Sequence, residues 1–355
     1  MVTLGIFGSH SAEETAVAAK RHGFDTIVIC EKGRERLYTE YNKFLFDHIL
    51  LLDKFDELIS TENQDKLLEL DTIFIPNRSF SVYVGYDNIE QSFQIPIYGN
   101  RFLLRIEDRT FERDQYWLLN QANIRIPKQY SHERIDDLAI VKVQQKHKPL
   151  ERAFFYVSSV EDFENKATSL IKADIVDEKE VYSAIIEEFV LGPRFNANFQ
   201  AYGCSDVYGR FDFVGFDDRV QTNLTGILNL PAKDQLQIDV VIKNEEIGHK
   251  GITMRESKKE LVYIVAERFL DAVEEHFPPR HIGLFALQGA INENSEFIVF
   301  DVSPRIPGSP CVGPTSPEMP RLSIKCRKRI ISPLDLCMID IQQAIKDSRL
   351  DEITT

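Results

Sequence analysis

Paired cysteines are missing from this chain: its five, Cys30, Cys204, Cys311, Cys326 and Cys337, are scattered, odd in number and never arranged Cys-x-x-Cys. That argues against a disulfide framework and a cysteine-based zinc site, and points to a reducing, cytoplasmic setting. Long apolar runs are missing too. No window approaches the roughly 18 residues that a membrane span needs. The N-terminal MVTLGIFGSHSAEE has no basic stretch leading into an apolar one, so neither membrane insertion nor secretion is expected. Positive charge is in deficit. A formal net charge of -14 repels polyanions, which argues against nucleic acid as a partner, while a local basic pocket could still receive small anions. The glycine fingerprint of dinucleotide sites is absent, so NAD is not expected.

What is present is ordinary globular material, 43% hydrophobic and 28% charged over 355 residues, enough for two or three packed units. Val2–Phe7 reads as a buried strand. Gly8-Ser9-His10-Ser11 follows, then a helix that stops at Gly23, with Ser11 and Glu14 spaced as a capping box. Strands at Thr26–Cys30 and Thr72–Pro76, with Phe44–Leu52 and a helix near Thr61–Leu70 between them, continue an alternation typical of a parallel α/β sheet. Ligands collect beyond the carboxyl ends of such strands, which puts His10, Ser11 and the segment Pro76–Phe80 on one rim. Further on, Arg109–Ala122 reads as a helix and Ile124–Pro127 as a boundary. Strand Leu138–Val143, a loop over Gln144–Phe155, helix Val160–Lys172 and strand Tyr182–Val190 follow. The apolar stripe of Lys258–Phe277 marks a scaffold helix, Leu284–Ile291 and Phe297–Val302 a hairpin, and Ser332-Pro333 the start of a last helix.

One stretch raises a chemical question. In FIVFDVSPRIPGSP, residues 297–310, an apolar strand runs into an acid. Period-2 alternation puts Phe297, Val299, Asp301 and Ser303 on one face. A buried-strand acid is costly unless something charged meets it, and either a turn cap or a magnesium ion would serve. With Lys142 on one strand, Glu187 and Glu188 at the exit of another, and Gln288 beside Asp301, the chain holds the group types that a nucleotide triphosphate and its metal require.

The order and spacing of these groups resemble the ATP-grasp superfamily, with Asp301-Val302-Ser303-Pro304-Arg305 in place of acid-x-Asn-Pro-Arg and EEFVLGPRF as the hinge. The implied class is α/β, with α+β later domains: an ATP-grasp fold behind an N-terminal parallel-sheet, Rossmann-like domain. Boundaries are expected at 1–123 (substrate domain), 124–190 (small lobe) and 191–355 (large lobe with the metal site). A narrower resemblance spans nearly the whole chain. GSHS, CEKGRERLY, IFIPNRSF, PIYGNRFLLR, MRES, LQG and FDVSPRIPG are similar to the archaeal-type formate-dependent synthetase of 5-formaminoimidazole-4-carboxamide ribonucleotide. That resemblance implies a purine-pathway ligase using ATP, formate and the aminoimidazole carboxamide ribonucleotide, with Mg²⁺ or Mn²⁺, and an enzyme that is a homo-oligomer. It implies His10, Ser11, Ser79 and His249 for the ribonucleotide. Lys142, Lys146, Glu187, Glu188, Val190 and Asp212 would serve ATP, Gln288, Asp301 and Ser303 the metal, and Arg305 the charge that develops in phosphoryl transfer.

Three stretches differ from the family pattern. The segment Gln144–Arg152 has no glycine where the family folds a glycine-rich loop over the triphosphate; Lys146, Lys148 and Arg152 stand there instead. Gly248-His249 replaces Gly-Asn, and Asp212–Asn223 keeps Asp-x-Arg without the arginine-tyrosine pair. A ligase of the same fold joining another carboxylate to another amine, and a catalytically silent nucleotide-binding protein, remain alternatives at this stage.

Overall fold

The structure, a computed structural model, describes residues 2–144, 152–237, 246–308 and 316–355. Strands β1 (Thr3–Phe7), β2 (Asp25–Glu31), β3 (His48–Leu52) and β4 (Thr72–Ile75) form a parallel sheet in the order β3-β2-β1-β4. Its crossover helices are α1 (Ala12–Arg21) and α2 (Thr61–Leu68). Every residue of β1 is buried, as expected of a strand covered on both faces. Helices α3 (Arg78–Val84), α4 (Tyr86–Gln91) and α5 (Gln115–Gln121) lead out of this unit.

A second, antiparallel sheet runs β5-β8-β6-β7, from β5 (Gln129–Tyr130), β6 (Ala139–Gln144), β7 (Arg152–Val157) and β8 (Ile185–Glu188). Alternation divides its faces cleanly. Val141, Val143, Phe155 and Val157 pack under α6 (Val160–Lys172), while Ile140, Lys142, Phe154 and Tyr156 look the other way. The third sheet, also antiparallel, is β11-β10-β9-β12-β13: β9 (Arg194–Ala201), β10 (Phe211–Gln221), β11 (Glu246–Ile252), β12 (Gly283–Ile291) and β13 (Phe297–Ser303). The helix Glu256–His276 covers its back through Val262, Ala266, Phe269 and Val273, as the apolar stripe predicts. The last helix, Pro333–Lys346, opens on the Ser332–Asp335 capping box and returns to α1, where the buried Asp335 carboxylate meets Arg21 at 2.5 Å and His22 at 3.0 Å.

Four local expectations change. Ser11 is left-handed (φ 67°) and its side chain does not cap α1; the hydroxyl donates instead to the Pro307 carbonyl at 3.2 Å. The helix expected from Arg109 begins only at Gln115, because Asp114 accepts from the backbone N–H groups of Tyr116 and Trp117 and so fixes its start. Part of the stretch expected as a loop, Arg152–Phe155, belongs to strand β7, paired with β6. In β13 the single-face reading fails at a β-bulge. Gln288 pairs with Asp301 but Gly289 with Val299, leaving Phe300 as the extra residue. Phe297 and Val299 therefore face the core, and Phe300, Asp301 and Ser303 face the opposite side.

Candidate active site

A cleft of about 450 Å³ opens where the second and third sheets face each other beside the rim of the parallel sheet. Its floor is a row across four strands. Asp301 stands opposite Gln288, Gln288 opposite Asn196, and Asn196 opposite Asp217. Residues directly opposed in antiparallel strands share a face, so two carboxylates and two amides line up. The bulge turns Asp301 to that face; the Phe300 carbonyl freed there accepts from Arg109 at 3.1 Å and from the Tyr116 hydroxyl at 3.3 Å. Arg109 also reaches Asp301 at 3.4 Å, and Arg219 lies 3.7 Å from its other oxygen.

Opposite the floor, Lys142 on β6 is ion-paired with Glu187 on β8. Glu187 is only 2% exposed and also accepts from the Tyr116 hydroxyl at 2.7 Å. Burial pushes that phenol up to about 12, so it serves as a fixed donor. Val190, just beyond β8, is buried against Ala290 and Ile298 and lines the cleft beside Glu188.

The parallel sheet supplies the third wall. Asn77, at the end of β4, donates from one amide to the carbonyls of Phe7 (3.1 Å), Ser9 (3.0 Å) and His10 (3.0 Å), which fixes the loop after β1 and aims His10 into the cleft. Burial, reinforced by Arg305, lowers the His10 imidazole to about 4, so it is neutral at pH 7. Arg305 is itself buried; it donates to Glu107 at 2.8 Å, and the other Glu107 oxygen lies 3.3 Å from Arg78.

The side facing β11 is a chain of charge. His249 donates to Asp217 and to Glu246, each at 2.6 Å, and Arg219 meets the second Glu246 oxygen at 2.9 Å. Asp217, fully buried, also accepts from Asn196 and Asn198 at 2.6 Å. Burial opposes charge on His249, but these two carboxylates prevail and raise it to about 9. Burial likewise works against the Glu246 carboxylate, which His249 and Arg219 nevertheless bring down to about 2.

Of the residues singled out from sequence, His10, Lys142, Glu187, Glu188, Val190, His249, Gln288, Asp301, Ser303 and Arg305 line this one cleft. Ser11 and Ser79 are not on its wall; Ser79 bonds Ser9 at 2.9 Å, so both hydroxyls serve the rim loops. Asp212 lies away from the cleft. Its carboxylate is taken by Lys325 (2.5 Å), Arg321 (3.2 Å) and Tyr202 (3.0 Å), which excludes it as a free partner for a nucleotide. Lys146 falls outside the described residues. Arg78, Glu107, Arg109 and Glu246 were not anticipated. Arg78 sits inside the PNRSF rim segment and was legible in principle, whereas Glu246 acquires its place only through the pairing of β10 with β11.

Family models match in two blocks: a protein of unknown function (DUF1246) over residues 4–130 and a domain of unknown function (DUF1297) over residues 162–355. The 5-formaminoimidazole-4-carboxamide-1-(beta)-D-ribofuranosyl 5'-monophosphate synthetase of Methanocaldococcus jannaschii is 36% identical over 309 residues, 86% of this chain and 83% of that one. This chain belongs to that synthetase family. Among solved structures, the IMP biosynthesis protein PurP from Thermococcus kodakaraensis superposes on this family member with a TM-score of 0.72 at 21% identity, over 100% of both chains. The biotin carboxylase domain of Hydrogenobacter thermophilus 2-oxoglutarate carboxylase, solved with MgADP and bicarbonate, matches with a TM-score of 0.55 at 12% identity, over 95% of this chain and 69% of that one. The synthetase fold here is accordingly the ATP-grasp fold, its second and third sheets facing each other across the cleft.

Proposed function

We propose that the protein is an ATP-dependent, ADP-forming carbon–nitrogen ligase that formylates 5-aminoimidazole-4-carboxamide ribonucleotide in purine biosynthesis. The observation that carries this reading is the Asp301–Gln288 pair, which lines one cleft with the Lys142–Glu187 ion pair and His10, in a chain of this family. Formate acylates poorly as the free anion. Attack of its oxygen on the terminal phosphorus of ATP releases ADP and gives formyl phosphate. The 5-amino group then attacks the formyl carbon, phosphate leaves and the amine loses a proton. The protein's part is positioning, neutralisation and exclusion of water.

In this reading the second sheet holds the nucleotide: Phe154, Tyr156 and Val190 offer apolar surface, Glu187 and Glu188 hydrogen-bond acceptors, and Lys142 a phosphate contact. His10 and His249 face the ribonucleotide, and Arg305, fixed by Glu107, meets the charge of the transferring phosphoryl group. Asp301, Gln288 and Ser303 suit Mg²⁺ or Mn²⁺. Asp301 already draws two cationic side chains, and a magnesium ion that keeps its waters and phosphate oxygens needs few protein ligands. Bound there, the metal would neutralise the phosphates during transfer. The unit that carries β1–β4 would chiefly present the ribonucleotide, and the two antiparallel sheets would grip ATP.

The test is ADP release from the purified protein with Mg·ATP and formate, with and without the ribonucleotide. Ribonucleotide-dependent release with formamido product is expected. ATP binding without such stimulation would overturn the formylation step and point to another amine or carboxylate.

A further inference from the structure

Three residues from two distant parts of the chain, His10 after β1 and Glu246 and His249 on β11, converge on Gly308. A Cβ built there would lie 2.8 Å from His249 Nε2, 3.0 Å from Glu246 Oε1 and 3.0 Å from His10 Cε1. Glu246 thus occupies the cationic end of the cleft, beside the neutral His10 imidazole that the proposed function turns to the ribonucleotide. Its two oxygens are both used: His249 holds one at 2.6 Å and Arg219 the other at 2.9 Å. A carboxylate spanning two cationic groups, hydrogen-bonded to His249 and ion-paired with Arg219, matches in charge and reach a phosphate or carboxylate spanning the same two.

We propose that Glu246 is an internal occupant of an anion subsite formed by His249 and Arg219, displaced when the phosphate of the ribonucleotide enters. The inference rests on the proposed ribonucleotide reading and adds a determinant of affinity to it. The surroundings favour exchange. Glu246 is the first residue of β11, the edge strand of its sheet, where the register with β10 shifts between Val220 and Gln221, so moving it breaks no central ladder. Its side chain is 28% exposed, against 5% for His249, which stays anchored to the buried Asp217. Departure of Glu246 leaves the guanidinium of Arg219 and the imidazole of His249 facing the cleft, the imidazole still held by the Asp217 carboxylate, which favours its charged form.

An occupied subsite lowers apparent affinity by the fraction of molecules in which it is filled. Removing the occupant's charge should therefore tighten anion binding. Calorimetry on the full chain with ribose 5-phosphate and with inorganic phosphate is expected to show Glu246→Gln binding about ten-fold more tightly than the native protein, a fall in occupancy of that order being sufficient. The double variant Glu246→Gln/His249→Asn should lose the gain. Unchanged or weaker binding by Glu246→Gln would overturn the proposal, as would a gain that persists without His249. Neither probe needs ATP or formate. Tighter phosphate binding in a protein without ribonucleotide-dependent ADP release would uphold the role of Glu246 and overturn the formylation reading alone.

Discussion

Asp301 shows how much a single side chain can be asked to do. Two arginines stand near its carboxylate at 3.4 and 3.7 Å and favour its charged form, the form a metal ion would need. Asp301→Asn should cut ribonucleotide-dependent ADP release by roughly a hundred-fold or more, the usual scale for losing one electrostatic contact to the transition state. Ribonucleotide affinity measured by calorimetry should stay within a few-fold; equal loss of both would count against a metal role. His249 gives a prediction in pH. Its folded value, about 9, lies above the ordinary histidine value of 6.5, so the native state holds this proton more tightly than the unfolded chain. The stabilisation is fully present below pH 6.5 and is lost as pH rises through about 9. Glu246, brought down from 4.5 to about 2, contributes above pH 4.5 and loses that contribution as pH falls through about 2. Melting temperatures of the native protein and of His249→Asn should differ most between pH 4.5 and 6.5 and converge as pH rises through about 9; a gap that stays constant from pH 6.5 to beyond 9 would refute the linkage.

Elements built on a clear periodicity were legible in the sequence. Helix Val160–Lys172 has the predicted bounds because its apolar face repeats at helical spacing and Ser159 caps it, and the scaffold helix, expected over Lys258–Phe277 and observed over Glu256–His276, follows from its apolar stripe without a side-chain cap. The β-bulge at Phe300 was not legible. One extra residue leaves composition unchanged but reverses which face the preceding positions occupy, and its cause lies across the ladder at Gly289. A Cβ on Gly289 would approach the Ile298 carbonyl oxygen to 2.2 Å and the Phe297 ring to 2.5 Å. Gly289→Ala should therefore cost about 1–3 kcal/mol by forcing backbone apart. Because β13 carries Asp301, turnover should fall more than the loss of folded protein explains, which chemical denaturation paired with the ADP assay would show.

At the scale of the whole molecule, the cleft draws on all three sheets, and this decides what a single sequence could reveal. Groups placed by strand ends, such as His10, Lys142 and Asp301, could be found from local pattern, while Glu107, Arg109 and Glu246 depend on contacts between distant segments and carry no local mark. Asp212 was misplaced for the same reason, since its partners Arg321 and Lys325 lie on a helix more than a hundred positions away. A ligand that binds only the native assembly must stabilise it, so Mg·ATP at about a hundred times its dissociation constant should add about 2.7 kcal/mol and raise the melting temperature. No shift would argue against a nucleotide site. The floor row also has a consequence in time. Asn196 meets Asp217 through the neighbouring strand β10, but it meets Gln288 only once β12, far along the chain, has paired with the other edge of β9, and such non-local pairings are slow to form. During refolding from denaturant, helical circular dichroism should therefore recover first and nucleotide binding last, making substrate affinity a clock for the completion of the central sheet.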